Sequence, residues 1–112
     1  MELNAIKEDK VTIVSVKGRL DAITSPDFSV RLTELIEKGD NSFIIDFKEL
    51  DYISSAGLRS ILAAAKSLKE KNGGLVLCAL KDVVNEVFEV SGFNAIIPIK
   101  DSLETALSDF KV

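Results

Sequence analysis

Short runs of β-branched and aromatic residues alternate along the chain with longer segments of helical periodicity. Residues 11–16 carry apolar side chains at positions 11, 13, 14 and 16 and are followed by Gly18, a stop signal. Residues 42–47 and 75–80 are nearly continuous apolar runs, which are typical of strands covered on both faces. Pro98 indicates that the last run lies at a sheet edge. The predicted strands are residues 3–6, 11–16, 42–47, 75–80 and 95–99.

Four segments repeat apolar residues at helical spacing. The first begins with Thr24-Ser25-Pro26, which supplies an N-cap followed by a proline in the first turn. The last begins with Ser102 as an N-cap and has Glu104 in its first turn, where a carboxylate complements the helix dipole. The predicted helices run from Thr24 to Gly39, from Ser54 to Asn72, over residues 81–90 and from Ser102 to Phe110.

The order of these elements predicts the fold class. Strands that alternate with helices favour right-handed crossovers and a mostly parallel sheet. We therefore expect an α/β fold with a small, mostly parallel or mixed sheet of about five strands and four covering helices. No linker or internal repeat interrupts the pattern, so residues 1–112 are predicted to form a single domain.

Composition and net charge favour some classes of binding partner and disfavour others. With 46% apolar residues, 29% charged residues and two prolines, the chain is expected to fold throughout. A net charge of −4 disfavours binding to nucleic acid or to an anionic membrane, because both need a positive surface, and it favours a protein partner. No signal peptide, lipid anchor or membrane span is readable, so a cytoplasmic location without membrane insertion is expected.

The absence of histidine argues against most enzyme classes, because it removes the commonest general base and metal ligand. An enzyme with Ser55 as nucleophile would need a base within hydrogen-bond distance, yet Lys66 and Lys69 lie turns away along the same helix. Cys78 lies within an apolar run and is interpreted as a small buried hydrophobe. We expect no catalytic residue, bound metal or cofactor.

Two segments lie where ligand and partner sites gather in α/β sheets, beyond the carboxyl ends of strands. They are residues 18–21 and residues 51–57. In the second, Ser54 and Ser55 precede Ala56 and Gly57, so small side chains occupy a helix start directly after a strand. A serine there either caps the helix or accepts a phosphate, and the residues alone leave both roles open.

These residues resemble the STAS domain family, and within it the bacterial anti-sigma factor antagonists. The resemblance covers nearly the whole chain, and the usual signature is Asp-Ser-(Ser/Thr/Ala)-Gly-Leu. Matching it places the phosphorylated serine at Ser55, with Ser54 as an alternative acceptor because it replaces the usual acidic residue. The resemblance rests on Gly18-Arg19-Leu20-Asp21, Ile44-Ile45-Asp46-Phe47, Leu50-Asp51-Tyr52-Ile53 and Ser54-Ser55-Ala56-Gly57-Leu58.

The resemblance implies a non-enzymatic cycle. The unphosphorylated protein binds a serine-kinase anti-sigma factor and frees a sigma factor, phosphorylation releases it, and a phosphoserine phosphatase resets it. Asp21 is either a partner contact or a turn residue, and Arg59 and Ser60 are either partner contacts or a solvated face. The implied partner-binding residues are Asp21, Ser54, Ala56, Gly57, Arg59 and Ser60.

The alternative function is a constitutive STAS scaffold subunit of a transport or signalling complex, which is never phosphorylated. The replacement of the acidic residue by Ser54 favours this alternative, while the free-standing length of 112 residues favours the phosphorylated antagonist. In either case the chain is expected to be a monomer or weak dimer with no direct contact to nucleic acid.

Overall fold

A mixed β-sheet with helices on both faces accounts for residues 1–110, the part of the chain that the computed structural model describes. The strands are β1 (Glu2–Glu8), β2 (Val11–Leu20), β3 (Ser42–Asp46), β4 (Leu50–Ile53), β5 (Gly74–Cys78) and β6 (Ile99–Lys100). The helices are α1 (Ser25–Glu37), α2 (Ser55–Glu70), α3 (Asp82–Ser91) and α4 (Leu103–Ser108). The α/β class and the four predicted helices are confirmed.

The strand order is β1-β2-β3-β5-β6, and β4 pairs with β2 off this path. Only the β1–β2 hairpin is antiparallel among the described strands, while β3, β4, β5 and β6 all join the sheet by parallel pairing. The helices α1, α2 and α3 therefore each lie in a crossover connection between parallel strands, and α4 follows the last strand. The carboxyl ends of the parallel strands consequently share one edge.

Alternating side chains of β3 explain why its run is apolar without interruption. Phe43 and Ile45 belong to the larger core cluster, which packs beneath α1, α2 and α3, whereas Ile44 belongs to a smaller cluster on the opposite face, beneath α4. All three are 1% exposed or less. Successive strand residues point to opposite faces, so a strand covered on both sides needs apolar residues at every position.

Within residues 1–110 the sheet has six strands, one more than the expected five, because β4 was not predicted. The strand β2 also continues past Gly18, where it was predicted to stop. Gly18 has φ +98°, and the pairing register shifts between Gly18 and Arg19. This bulge bends β2 away from β3, so its last residues pair with β4. With four residues and an exposed centre, β4 is too short to show a period of two.

The last strand is the other difference. Residues 95–99 were predicted as a strand, but Phe93–Ala95 form a 3₁₀ turn and β6 comprises only Ile99–Lys100. Gly92, with φ +80°, ends α3 and starts this turn. The edge position that Pro98 indicates is confirmed, since β6 pairs with β5 alone.

Cys78 lies at the end of β5 and is fully buried, as predicted. Burial, with a smaller contribution from the nearby Asp46 carboxylate, raises the pKa of the Cys78 thiol to about 12. The thiol is therefore neutral and a poor nucleophile at physiological pH. Among the helices of residues 1–110, none has both the length and the apolar character that crossing a bilayer requires.

Candidate functional site

The pairing of β2 with β4 brings the two candidate segments together. Leu20 is the register partner of Ile53, and the Ser54 N–H donates to the Leu20 carbonyl at 3.0 Å. Residues 18–21 and 51–57 thus end side by side at one edge of the sheet; the sequence predicted that both lie beyond strand ends but not that they are neighbours. The bulge at Gly18 makes this possible, because it turns the end of β2 toward β4.

Gly57 fixes how closely α2 approaches the sheet. A Cβ atom at this position would lie 2.6 Å from the Leu20 carbonyl oxygen and 2.8 Å from Cγ1 of Ile53. Only a glycine allows this packing, and Gly57 itself is buried. Gly57 therefore holds the helix against β2, and its contact with a partner stays a prediction.

Ser54 is the N-cap of α2. Its backbone is extended, with φ −100° and ψ 177°, and its hydroxyl accepts a hydrogen bond from the Gly57 N–H at 3.3 Å. The Ser54 side chain is half-buried. The bond satisfies one of the free N–H groups at the start of the helix, which is the ordinary function of a capping serine.

Ser55 is the first residue of α2 and is exposed. Its hydroxyl makes no hydrogen bond with any of residues 1–110, and the first turn of α2 contains no acidic residue. The sequence left two roles open for a serine here, helix capping and phosphate acceptance, and two neighbouring serines are available for them. Ser54 caps the helix, and Ser55 presents an accessible hydroxyl.

Asp21 organises the connection between β2 and α1. One of its carboxylate oxygens, Oδ1, accepts hydrogen bonds from the backbone N–H groups of Ile23 at 3.0 Å and Thr24 at 3.1 Å. The Thr24 backbone bond is the largest of the effects that lower the pKa of Asp21, and desolvation opposes them. The turn function considered for Asp21 is confirmed. Its contact with a partner stays a prediction.

Thr24 is the N-cap residue of α1, within the segment that was predicted to supply the cap, but its side chain makes no capping hydrogen bond. Its hydroxyl instead donates to the Arg19 carbonyl at 2.9 Å and accepts from the Asp21 N–H at 2.9 Å. Thr24 therefore ties the start of α1 back to the end of β2. The buried hydroxyl of Ser25 makes a similar bond to the Asp21 carbonyl.

Two exposed large side chains flank this edge, and neither was predicted to bind a partner. Ile23 is 87% exposed at the tip of the β2–α1 connection, and Tyr52 is 40% exposed on β4. The Arg19 guanidinium lies over the Tyr52 ring, 4.2 Å from its centre, and its Nε is 3.6 Å from Oδ2 of Asp21. The only sequence signal for Ile23 was its isolation among polar and small residues in a loop.

Three further predicted residues lie on α2. Ala56, Arg59 and Ser60 line a shallow depression of about 380 Å³ between α2 and the first turn of α1. Ser60 is half-buried and donates its hydroxyl hydrogen to the Ala56 carbonyl at 3.1 Å, so that hydrogen is already engaged. Arg59 is exposed and forms no salt bridge within residues 1–110.

An ion pair between Asp51 and Lys81 connects this edge to the start of α3. The Lys81 ammonium donates to Asp51 Oδ1 at 2.5 Å, and this bond is the main reason that the pKa of Asp51 is lowered. The pair is exposed, so it contributes little to stability. Five exposed residues and the half-buried Asp21 lie at this edge, and we name them the switch surface: Arg19, Asp21, Ile23, Tyr52, Ser55 and Arg59.

Comparisons with known proteins identify a matching family and several similar proteins. A sequence model described as the STAS domain matches residues 2–106. The chain is 41% identical over 111 residues to BtrV of Bordetella bronchiseptica, named as a candidate anti-sigma factor antagonist, covering 99% of this chain and 96% of BtrV. It is 30% identical over 103 residues to an anti-sigma F factor antagonist of Paenibacillus polymyxa, covering 91% and 88% of the two chains.

The fold also matches a solved structure. The crystal structure of a candidate anti-sigma factor antagonist from Thermotoga maritima superposes with a TM-score of 0.95, covering 98% of this chain and 95% of the other. Sequence identity is 20%, so this likeness concerns the fold.

Proposed function

The chain belongs to the STAS domain family, and from this membership we propose that it is an anti-sigma factor antagonist controlled by phosphorylation of Ser55. In the unphosphorylated state it binds an anti-sigma factor that is itself a serine kinase, and sigma-factor-dependent transcription proceeds. The observation that carries the proposal is the exposed, unbonded hydroxyl of Ser55 directly after the cap of α2. Sequence kinship with proteins named as antagonists supports the same conclusion.

Ser55 is a better phosphate acceptor than Ser54 for a structural reason. The Ser54 hydroxyl is half-buried and accepts the Gly57 N–H, so a kinase would have to break the cap to reach it. The Ser55 hydroxyl needs no such rearrangement. We therefore propose Ser55 as the site of modification and Ser54 as the residue that holds the helix start in place.

Phosphorylation of Ser55 would leave the fold intact and change the surface. The group adds about −1.5 to −2 charges at neutral pH, and the N-terminal end of a helix tolerates negative charge. A partner interface that covers this spot would have to desolvate the phosphate. Each 1.4 kcal/mol lost in this way weakens binding about tenfold, so one buried phosphate is sufficient for release.

The switch surface has features suited to a protein partner. Ile23 and Tyr52 are exposed apolar and aromatic side chains, a kind of residue that dominates binding energy at interfaces. Asp21 contributes by holding the loop that presents Ile23. Ala56 beside Ser55 keeps bulk away from the helix start, so a partner backbone can approach the hydroxyl.

In this proposal the chain is a substrate and binding regulator, and ATP and Mg²⁺ belong to the kinase. A phosphoserine phosphatase returns the protein to its binding form. Because these partners are regulators of transcription, we place the cycle in the cytoplasm. The sequence-based expectation of a monomer or weak dimer agrees with a surface that is used for one partner at a time.

The proposal is tested by affinity capture from host lysate with four full-length baits: wild type, Ser55→Ala, Ser55→Asp and Thr33→Asp. Thr33 is an exposed residue of α1, so its substitution controls for added charge. A kinase-like anti-sigma factor should be retained by wild type, Ser55→Ala and Thr33→Asp and should be lost with Ser55→Asp. Peptide mass spectrometry of wild type incubated with that partner and ATP should locate the phosphate on Ser55.

Equal retention of the partner by all four baits, with no phosphate on Ser55, would contradict the proposal. That result would favour the constitutive scaffold function. A phosphate found on Ser54 instead would keep the cycle but would overturn the assignment of the two serines.

A further inference from the structure

Arg59 lies one helical turn after Ser55 on the solvent-facing side of α2. Residues four apart in a helix have Cβ atoms about 5–6 Å apart on one face. Long helical side chains also lean toward the N-terminus, because each Cα–Cβ bond is tilted that way. Arg59 lines the depression beside the first turn of α1, and rotation about its side-chain bonds brings the guanidinium within reach of a group on Ser55.

The guanidinium is available for a new partner. No salt bridge joins Arg59 to any of residues 1–110, and the first turn of α2 has no carboxylate to engage it. Asp21, the nearest predicted acidic site residue, is occupied by its own loop and by Arg19. The next cation on this face of α2, Lys66, lies eleven residues from Ser55, about 16 Å along the axis.

We propose that Arg59 is the internal counter-ion of phosphorylated Ser55. The inference rests on the proposed phosphorylation of that serine. A phosphate offers three acceptor oxygens, and the planar guanidinium donates two parallel hydrogen bonds to such a group. The pairing requires a cationic side chain at the fourth position after the serine, and in this chain that residue is an arginine.

The pairing gives phosphorylation a second effect on the switch surface. Before modification, Arg59 is an exposed cation that a partner carboxylate can meet. After modification, it is turned to the phosphate, and the local charge of the Ser55–Arg59 pair changes from +1 to about −0.5 to −1. A partner therefore loses a cationic contact at the same time as it meets a phosphate.

The test uses full-length protein with phosphoserine placed at position 55 during translation, which requires neither kinase nor partner. The second ionisation of the phosphate, near pH 6, is followed by ³¹P NMR. A neighbouring cation favours the dianion and lowers the phosphate pKa, so Arg59→Gln should raise it by about 0.3 units. The other charged groups at this edge and the helix dipole are common to both proteins and cancel; these groups are Arg19, Asp21, Asp51 and Lys81.

Two variants make the result specific. Lys66→Gln removes the same charge from the same helix but lies beyond the Debye length of about 10 Å at 0.1 M salt, so the phosphate pKa should not change. Arg59→Lys keeps the charge and should restore most of the lowering. An equal phosphate pKa in wild type, Arg59→Gln and Lys66→Gln would overturn the pairing.

Because the titration involves the protein alone, its outcome is separate from that of the proposed function. Loss of the pairing with intact partner capture would remove the counter-ion and leave the phosphorylation cycle standing. A failed capture with an Arg59-dependent pKa would do the reverse.

Discussion

The helices α2 and α4 begin in the same way and then differ. Ser54 and Ser102 both have extended backbones, and each accepts the N–H of the residue three positions later, at 3.3 Å and 3.2 Å. The next residue in α4 is Leu103, which packs against the smaller core cluster. The next residue in α2 is the exposed Ser55.

The difference shows that a capping serine alone does not indicate a switch. In α4 the first turn is completed by Glu104, and the Ser102 hydroxyl also meets the Thr105 hydroxyl at 2.9 Å. The Glu104 carboxylate thus already provides negative charge at the start of α4. In α2 the cap is followed by a second, free hydroxyl and by no acidic residue, which leaves the position open to a charge added later.

The largest expected effect comes from Gly57→Ala, which tests how tightly the start of α2 is packed. The added Cβ would collide with the Leu20 carbonyl, part of a backbone that has little room to move. Overpacking outweighs the gain in helix propensity, and we expect a loss of about 2 kcal/mol in the free energy of unfolding. Urea denaturation with an unchanged m-value measures this loss.

The matched control for that variant is Thr105→Ala, at the equivalent third position of α4. Thr105 is exposed, so its truncation should change stability by about 0.5 kcal/mol or less. Similar losses for the two variants would show that α2 is no more closely packed against the sheet than α4 is.

The next effect separates the two serines of α2. Ser54→Ala removes the cap and should cost about 1 kcal/mol, whereas Ser55→Ala should stay within about 0.5 kcal/mol of wild type. Ser102→Ala is the corresponding cap removal in α4 and should also destabilise. If Ser55→Ala were as destabilising as Ser54→Ala in the same urea titration, Ser55 would have a structural function and its availability for phosphorylation would be in doubt.

The sequence predicted the parts of the fold that have strong periodicity. Apolar residues recur at helical spacing in α2, which indicates an amphipathic helix. They are nearly continuous in β3 and β5, which indicates strands covered on both faces, and the structure agrees with both predictions. In contrast, β4 has four residues, of which only the first and last are buried, so it carries no readable period. The strand β4 forms because the bulge at Gly18 lets the end of β2 pair with it. This pairing depends on the tertiary structure and cannot be read from residues 50–53 alone.

The site was predicted in outline for a similar reason. Adjacent segments beyond strand ends can be inferred from topology, and Ser54, Ser55 and Asp21 do lie at one edge. The function of Gly57 could not be inferred, because its contact with the Leu20 carbonyl depends on the unpredicted pairing of β2 with β4. Ile23 was overlooked because an exposed loop residue leaves no pattern in the sequence.

The smallest expected effect concerns the charge of a hydrogen-bond acceptor. The acceptor at the edge beside α2 is charged, whereas the acceptor that caps α4 is neutral. At the α2 edge, a carboxylate, Asp21, accepts the N–H groups of Ile23 and Thr24, whereas at α4 a neutral hydroxyl accepts the Thr105 N–H. The hydrogen bonds lower the pKa of Asp21, so its contribution to stability is present above about pH 4 and is lost as the pH falls through the lowered folded-state pKa.

We therefore expect the amide ¹H and ¹⁵N shifts of Ile23 and Thr24 to titrate together, with a midpoint below the usual aspartate value. The Thr105 hydrogen bond should persist through the same range, because its acceptor carries no charge to lose. In Asp21→Asn the Ile23 and Thr24 titration should disappear, and partner affinity should fall if Ile23 is an anchor. A midpoint at or above the usual value would mean that the carboxylate does not hold the loop.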